Sequence, residues 1–121
     1  MKNYSKKIDI TDRTLKFGVE IVILANKLPN SPAGFKIGGQ IVASGTSIGA
    51  NIQEAQSASS KKDFIYKMGI ALREARETKY WLMIIVSAKL LPMKVIERHL
   101  NENEEIIKIL CTIIKNTKSH S

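Results

Sequence analysis

Apolar residues recur along this chain at intervals of three and four, with little strand-like alternation, and the spacing predicts helices almost throughout. The first spans residues 11–28 and stops at Pro29. Leu15, Val19, Val22 and Ala25 or Asn26 share one of its faces; Phe17, Ile21, Ile23 and Leu24 occupy the others. A helix this apolar around its circumference wants more than one covered face, and a single bundle core supplies one. The expectation of an oligomer begins there.

Ser31 followed by Pro32 predicts an N-cap with proline in the first turn of a second helix, residues 34–56. Ile37, Ile41, Ile48, Ile52 and Ala55 keep helical spacing there, yet Gly34, Gly38, Gly39, Gly45 and Gly49 lie in the same stretch. Each interior glycine costs about 0.5–1 kcal/mol relative to alanine. A helix is expected only if its small residues let a neighbouring helix come close. Ser60 with Asp63 three residues later resembles a capping box and starts a third helix, residues 60–89. Ile65, Met68, Leu72, Ala75, Leu82 and Val86 recur along it at bundle spacing, and Leu90, Leu91 and Pro92 break it. The fourth, residues 92–116, turns Ile96, Leu100, Asn103, Ile106, Leu110, Ile113 and Ile114 inward. Four long helices with short connections predict an all-α, antiparallel up-down-up-down four-helix bundle, and a chain of 121 residues makes it a single domain spanning 1–121.

No apolar run approaches the roughly 20 residues that cross a bilayer. The first seven residues carry lysines and lead into Asp9 and Asp12 without an apolar stretch, so no secretory signal is expected. The single cysteine, Cys111, precludes an internal disulfide, and its neighbours Ile109, Leu110, Ile113 and Ile114 predict a small buried hydrophobe. Together these features predict a reducing, cytoplasmic setting. The net charge of +8 is unevenly placed: residues 8–105 are nearly balanced, and most of the excess lies near the two chain ends.

Catalytic patterns are missing. A di-iron bundle needs Glu-x-x-His on two helices, but His99 has Ile96 three residues before it, and His120 lies near the C-terminus. The segment from Gly38 to Gly49 contains neither phosphate-binding glycine pattern, and no strand precedes it. Ser44, Thr46 and Ser47 have no histidine nearby in sequence to act as a base. No enzyme activity, cofactor or metal is expected. The polar residues that stand out within apolar helices are Asn51 and Glu54 on the second helix and Arg73, Glu74 and Glu77 on the third. Either they form a solvated face, with Arg73 and Glu77 pairing at i, i+4, or Asn51, Glu54, Arg73 and Glu77 form a polar layer or a subunit contact.

Three blocks carry a resemblance: Ser44-Gly45-Thr46-Ser47-Ile48-Gly49-Ala50-Asn51-Ile52-Gln53-Glu54-Ala55, then Ser60-Lys61-Lys62-Asp63-Phe64-Ile65, then Glu74-Ala75-Arg76-Glu77-Thr78-Lys79-Tyr80-Trp81-Leu82. From roughly Thr11 to Lys115 the chain resembles the bacterial four helix bundle protein family, also known from open reading frames within intervening sequences of large-subunit ribosomal RNA. The accessory variability protein of diversity-generating retroelements is a relative. Ala43 departs from the pattern, since members often carry arginine before the Ser-Gly-Thr-Ser run. The resemblance implies an antiparallel bundle, a ring-like homopentamer and no catalytic activity. For the retroelement relative it implies binding to a reverse transcriptase and to nucleic acid through a basic surface.

In an up-down bundle the start of helix one, the turn between helices two and three, and the end of helix four share one end. That end gathers Lys2, Lys6, Lys7, Lys61, Lys62, Lys115 and Lys118 against Asp9, Asp12 and Asp63. The expected function is thus a non-enzymatic homo-oligomer that binds nucleic acid, RNA in preference, through a basic end, as adaptor or chaperone beside a reverse-transcriptase-like protein. Few aromatics (Tyr4, Phe64, Tyr66) lie near, so backbone or shape recognition is expected rather than base stacking. The alternative is a protein-interaction scaffold whose lysines only keep it in solution. Trp81 is expected in the core.

Overall fold

The structure, a computed structural model, describes the backbone of residues 2–120 and the side chains of residues 10–120. It contains α1 (Lys2–Ala25), α2 (Pro32–Ala55), α3 (Lys61–Ser87) and α4 (Met93–Ser119), with no strand among the described residues. The expected all-α four-helix bundle is what the chain forms.

Local chemistry sets the helix limits. Ser31 Oγ accepts the Gly34 N–H at 3.0 Å and Ser60 Oγ accepts the Asp63 N–H at 3.0 Å, so both predicted N-caps are formed. The Asp63 carboxylate reaches back to the Ser59 N–H at 3.3 Å, one residue before the Glu or Gln target of a capping box. At the other end of α3, Leu90 N–H donates to the Ile85 carbonyl at 2.9 Å and Lys89 N–H to Val86 at 3.0 Å. This is a Schellman closure, with Lys89 at φ 59° in the left-handed position that glycine usually fills. Three limits differ from the sequence reading by three residues or more, and one is the end of α1, at Ala25 instead of Leu28. α1 begins at Lys2 instead of Thr11, because no glycine or proline interrupts the polar residues upstream. α4 runs on to Ser119 past Asn116, for the same reason.

Each helix packs antiparallel on its chain neighbours, and α1 meets α4 along the sparsest seam. The core is built from Phe17, Ile21 and Leu24, from Ile41, Ile48 and Ile52, from Met68, Leu82 and Ile85, and from Ile96, Ile106 and Leu110. The glycines of α2 act as expected. A Cβ at Gly49 would stand 3.2 Å from the Thr14 carbonyl oxygen, and one at Gly45 2.8 Å from Ile21 Cγ2. Close approach of α1 thus offsets the poor helix propensity of this segment.

The sequence leaves open which apolar face of α1 turns inward. Leu15, Val19, Val22 and Ile23 are 38–57% exposed, and the core side carries Ile10, Thr14, Phe17, Ile21, Leu24 and Leu28. Two stripes on this helix are apolar enough to be buried. The one chosen holds Thr14, Gly18 and Ile21, which are shaped to fit against Gly45, Thr46 and Gly49. Cys111 is half-buried, its sulfur 3.9 Å from Arg76 Nη2, and so is less enclosed than expected. Trp81 is half-buried against the core, edge-on to Tyr80 with 5.2 Å between ring centroids.

Candidate nucleic-acid interface

Lys61 and Lys62 form the first turn of α3, and Lys115 and Lys118 stand near the end of α4. Because α3 and α4 are antiparallel neighbours, all four lie at one end of the bundle. All four are exposed, and none makes an ion pair among the described residues. Lys118 complements the negative end of the α4 dipole. Lys61 and Lys62 do the opposite: they add charge to the positive end of α3, an arrangement that favours an anion more than it favours the helix. α1 also begins at this end, but the side chains of Lys2, Lys6 and Lys7 lie outside the described residues.

Across the helix seams four cations meet acids. Arg13 makes a bidentate pair with Glu102, at 2.6 and 2.8 Å, and Arg98 reaches Glu20 at 2.7 Å; both tie α1 to α4. Lys79 pairs with Glu104 at 2.8 Å between α3 and α4. Lys67 pairs with Glu54 at 2.8 Å between α2 and α3, and that carboxylate holds the Lys67 ammonium pKa above its ordinary value. Lys27, Lys36, Lys89 and Lys94 at the opposite end, and Arg73 and Arg76 on α3, are also exposed and make no ion pair among the described residues.

Of the alternatives for Asn51, Glu54, Arg73 and Glu77, a polar layer within the chain is not formed. Glu54 crosses to Lys67, but the Asn51 amide donates to the Ser47 carbonyl of its own helix at 2.8 Å. Arg73 and Glu77 are exposed, with Glu77 3.5 Å from Trp81 Nε1. Their flexible side chains leave the apolar interior for solvent. Beside them Glu74 has its carboxyl pushed up by burial first and by Glu77 second, against the pull of Arg73. The buried polar groups are others. The Thr78 hydroxyl lies 2.9 Å from Ser44 Oγ and 2.8 Å from the Glu74 carbonyl, and the Asn103 amide donates to the Ala75 carbonyl at 2.9 Å. Thr78 is signalled by its place in the stripe Ala71, Ala75, Thr78, Leu82, Ile85, and His99 by its place between Ile96 and Asn103.

His99 is 5% exposed and lines a cleft of about 370 Å³ in the α1–α4 seam with Arg13, Lys16, Phe17, Glu20, Arg98 and Glu102. Its Nδ1 has no hydrogen-bond partner. Burial pushes its pKa down, aided by Arg98 and Lys27 and opposed by the Val95 carbonyl and Glu20. The folded state therefore disfavours the imidazolium. Stability is expected to be flat above about pH 6.5 and to fall as pH drops below it, down through the depressed folded value. Urea midpoints measured across that range check this, and His99→Gln should flatten the His99 part of the profile. No group of three or more His, Cys, Asp or Glu able to hold a metal occurs among the described residues. No helix there is long and apolar enough to cross a membrane.

A model of the 23S rRNA-intervening sequence protein family matches residues 6–112. The chain belongs to that family. This intervening-sequence protein also resembles a crystal structure from Bacteroides thetaiotaomicron VPI-5482, described as a protein of unknown function from the S23 ribosomal protein family. The two share 45% sequence identity, with 88% of this chain and 98% of that one covered and a TM-score of 0.83. No curated protein matches the intervening-sequence chain.

Proposed function

We propose that this protein is a non-enzymatic homo-oligomer that binds nucleic acid, RNA in preference, through the basic end of the bundle, and serves as an adaptor or chaperone in the cytoplasm. The observation that carries the reading is that Lys61, Lys62, Lys115 and Lys118, exposed and without an ion pair among the described residues, share one end with the start of α1, where the sequence adds Lys2, Lys6 and Lys7. Phosphates are the ligand such an end suits, because each neutralised phosphate releases a counterion. The family's own description, which ties it to 23S rRNA, supports RNA over DNA. Self-association, for which the resemblance implies five copies, would repeat the basic end around an axis and multiply its phosphate contacts. A protein-interaction scaffold is the second reading, favoured by the exposed apolar stripe of α1.

A titration of labelled structured RNA, with duplex DNA alongside, at about 50 and 200 mM salt tests the reading. Affinity should fall steeply with salt. Lys61→Gln, Lys62→Gln, Lys115→Gln and Lys118→Gln together should flatten the salt slope by about 0.7–0.9 for each phosphate that is no longer neutralised. Failure of the unsubstituted protein to bind even at low salt would leave the scaffold reading.

A further inference from the structure

α1 and α3 finish, and α2 and α4 start, at the end of the bundle opposite Lys61 and Lys115. Both connections there, with their flanks, are free of acid: residues 21–53 and 78–96 contain no aspartate or glutamate. Lys27, Lys36, Lys89 and Lys94 stand exposed at this end, one near each helix terminus, and none makes an ion pair among the described residues. Of the acids just outside these stretches on α1 and α4, Glu20 is held by Arg98 at 2.7 Å, which leaves Glu97. The connection at the other end, by contrast, has Glu54 before it and Asp63 after it. α4 also starts at the acid-free end with no side-chain cap and no acid in its first turn, so its dipole adds to the positive potential.

Lys89 holds its place at a cost. Its φ of 59° is the left-handed position that closes α3, which glycine fills without a Cβ penalty. No ion pair among the described residues offsets that cost, and a residue kept in such a conformation points to a role for its side chain. Phe35, near the start of α2 beside Lys36, is 68% exposed, more than any other large apolar side chain among the described residues. Met93, 50% exposed at the start of α4, lies on the helix diagonal to α2, so the two do not join into one apolar patch across the end. A bilayer would take in a contiguous apolar surface. A separate ring among cations suits one base of an unpaired strand, with the phosphates of that strand on the lysines around it.

We propose that this end is a second nucleic-acid site, one that takes a single strand. A base stacks on Phe35 while Lys27, Lys36, Lys89 and Lys94 neutralise phosphates of the same strand. The site lies about 36 Å from the basic end described above, the length of the 24-residue α2. Where both ends bind, one molecule holds two nucleic-acid segments together and brings a single strand to a folded one. That bridging rests on the function proposed above; the single-strand site does not.

Titration of a labelled oligouridine of about eight nucleotides against the full chain, at about 50 mM salt, tests the site. Phe35→Ala, at an exposed position, should weaken binding about tenfold, the scale of one lost base–aromatic stack. Lys27→Gln, Lys36→Gln, Lys89→Gln and Lys94→Gln together should flatten the salt slope by about 0.7 for each phosphate no longer neutralised. The Phe35→Ala effect should persist when Lys61, Lys62, Lys115 and Lys118 are all glutamine, since the two ends are separate. Lys89→Gly should raise the melting temperature by relieving the left-handed backbone, and at the same time weaken the oligouridine complex. A lysine that serves structure alone would not divide the two readouts in this way. Immobilised structured RNA should capture labelled oligouridine only when the protein is added, and either set of four glutamines should abolish the capture. Oligouridine binding that is absent, or indifferent to Phe35→Ala and to the four substitutions at this end, would overturn the site. So would capture by vesicles of phosphatidylcholine and phosphatidylserine with none by oligouridine. If structured RNA fails to bind while oligouridine binding keeps its dependence on Phe35, the basic-end reading fails and this site stands.

Discussion

Asn103→Asp is expected to destabilise the bundle by about 3–5 kcal/mol at neutral pH, the range for an uncompensated buried charge. Asn103 is fully buried on α4, where its amide donates to the Ala75 carbonyl on α3 at 2.9 Å and its Oδ1 has no partner. Aspartate replaces the donor with a second anionic oxygen facing that carbonyl, and the cations paired elsewhere in the bundle are held by Glu20, Glu54, Glu102 and Glu104. Burial would raise the pKa of the new carboxyl in the folded state above its unfolded value of about 3.9. The penalty is therefore absent below the unfolded value, grows as pH rises toward the folded one, and is constant above it. Urea unfolding from acid to neutral pH should show the variant closest to the parent protein at the acid end. Asn103→Leu should be nearly neutral, because it removes the unsatisfied Oδ1 with little change in volume. Parent-like stability of Asn103→Asp at neutral pH would mean that water or a cation reaches the site.

Gly34→Ala carries the next largest effect, a loss of about 2–3 kcal/mol, or roughly 10 °C in the melting temperature for a chain of this size. A Cβ at Gly34 would stand 1.9 Å from the Pro29 carbonyl oxygen and 3.2 Å from Ser31 Oγ. The Pro29 carbonyl is not free to move: it accepts the Ser31 N–H at 2.9 Å, and Ser31 caps α2 through the Gly34 N–H itself. Room for the methyl group therefore requires opening the turn and loosening the cap, which together exceed the helix propensity that alanine adds. Thermal unfolding at matched protein concentration is the measurement. An unchanged melting temperature would show that the α1–α2 turn can shift without cost.

The parts of the fold that are readable from the sequence are those fixed by local chemistry. Ser31-Pro32 and Ser60 with Asp63 announce helix starts because hydroxyl and amide lie within one turn of each other. The glycines of α2 announce a close neighbour because nothing else justifies them there. The side of α1 that faces inward is not readable: Leu15, Val19 and Val22 are as apolar as Phe17, Ile21 and Leu24, and the fit of Thr14 and Gly18 to α2 decides between them. Asn103 is readable from its place in the α4 stripe, whereas the buried hydroxyls escape sequence reasoning for a different reason. Ser44 and Thr78 bond carbonyls of their own helix turns, so short hydroxyls enter the core without a visible break in the apolar pattern. Asn51, Glu54, Arg73 and Glu77 draw notice as charged or amide groups among apolar ones, yet side chains of that length reach their partners or solvent outside the core. The described part of the basic end is readable, because placing Lys61, Lys62, Lys115 and Lys118 together needs only the order and direction of four helices.

The sparse α1–α4 seam also bears on how the molecule assembles in time. α1 with α2, α2 with α3 and α3 with α4 are hairpins whose partners are close in sequence, and such local closures are fast. The Arg13–Glu102 pair instead joins residues 89 positions apart, and closing that span yields only a thin seam supported by ion pairs. The bundle is thus a row of three hairpins rolled into a square, in which the meeting of α1 with α4 is expected to come last in folding and their parting first in unfolding.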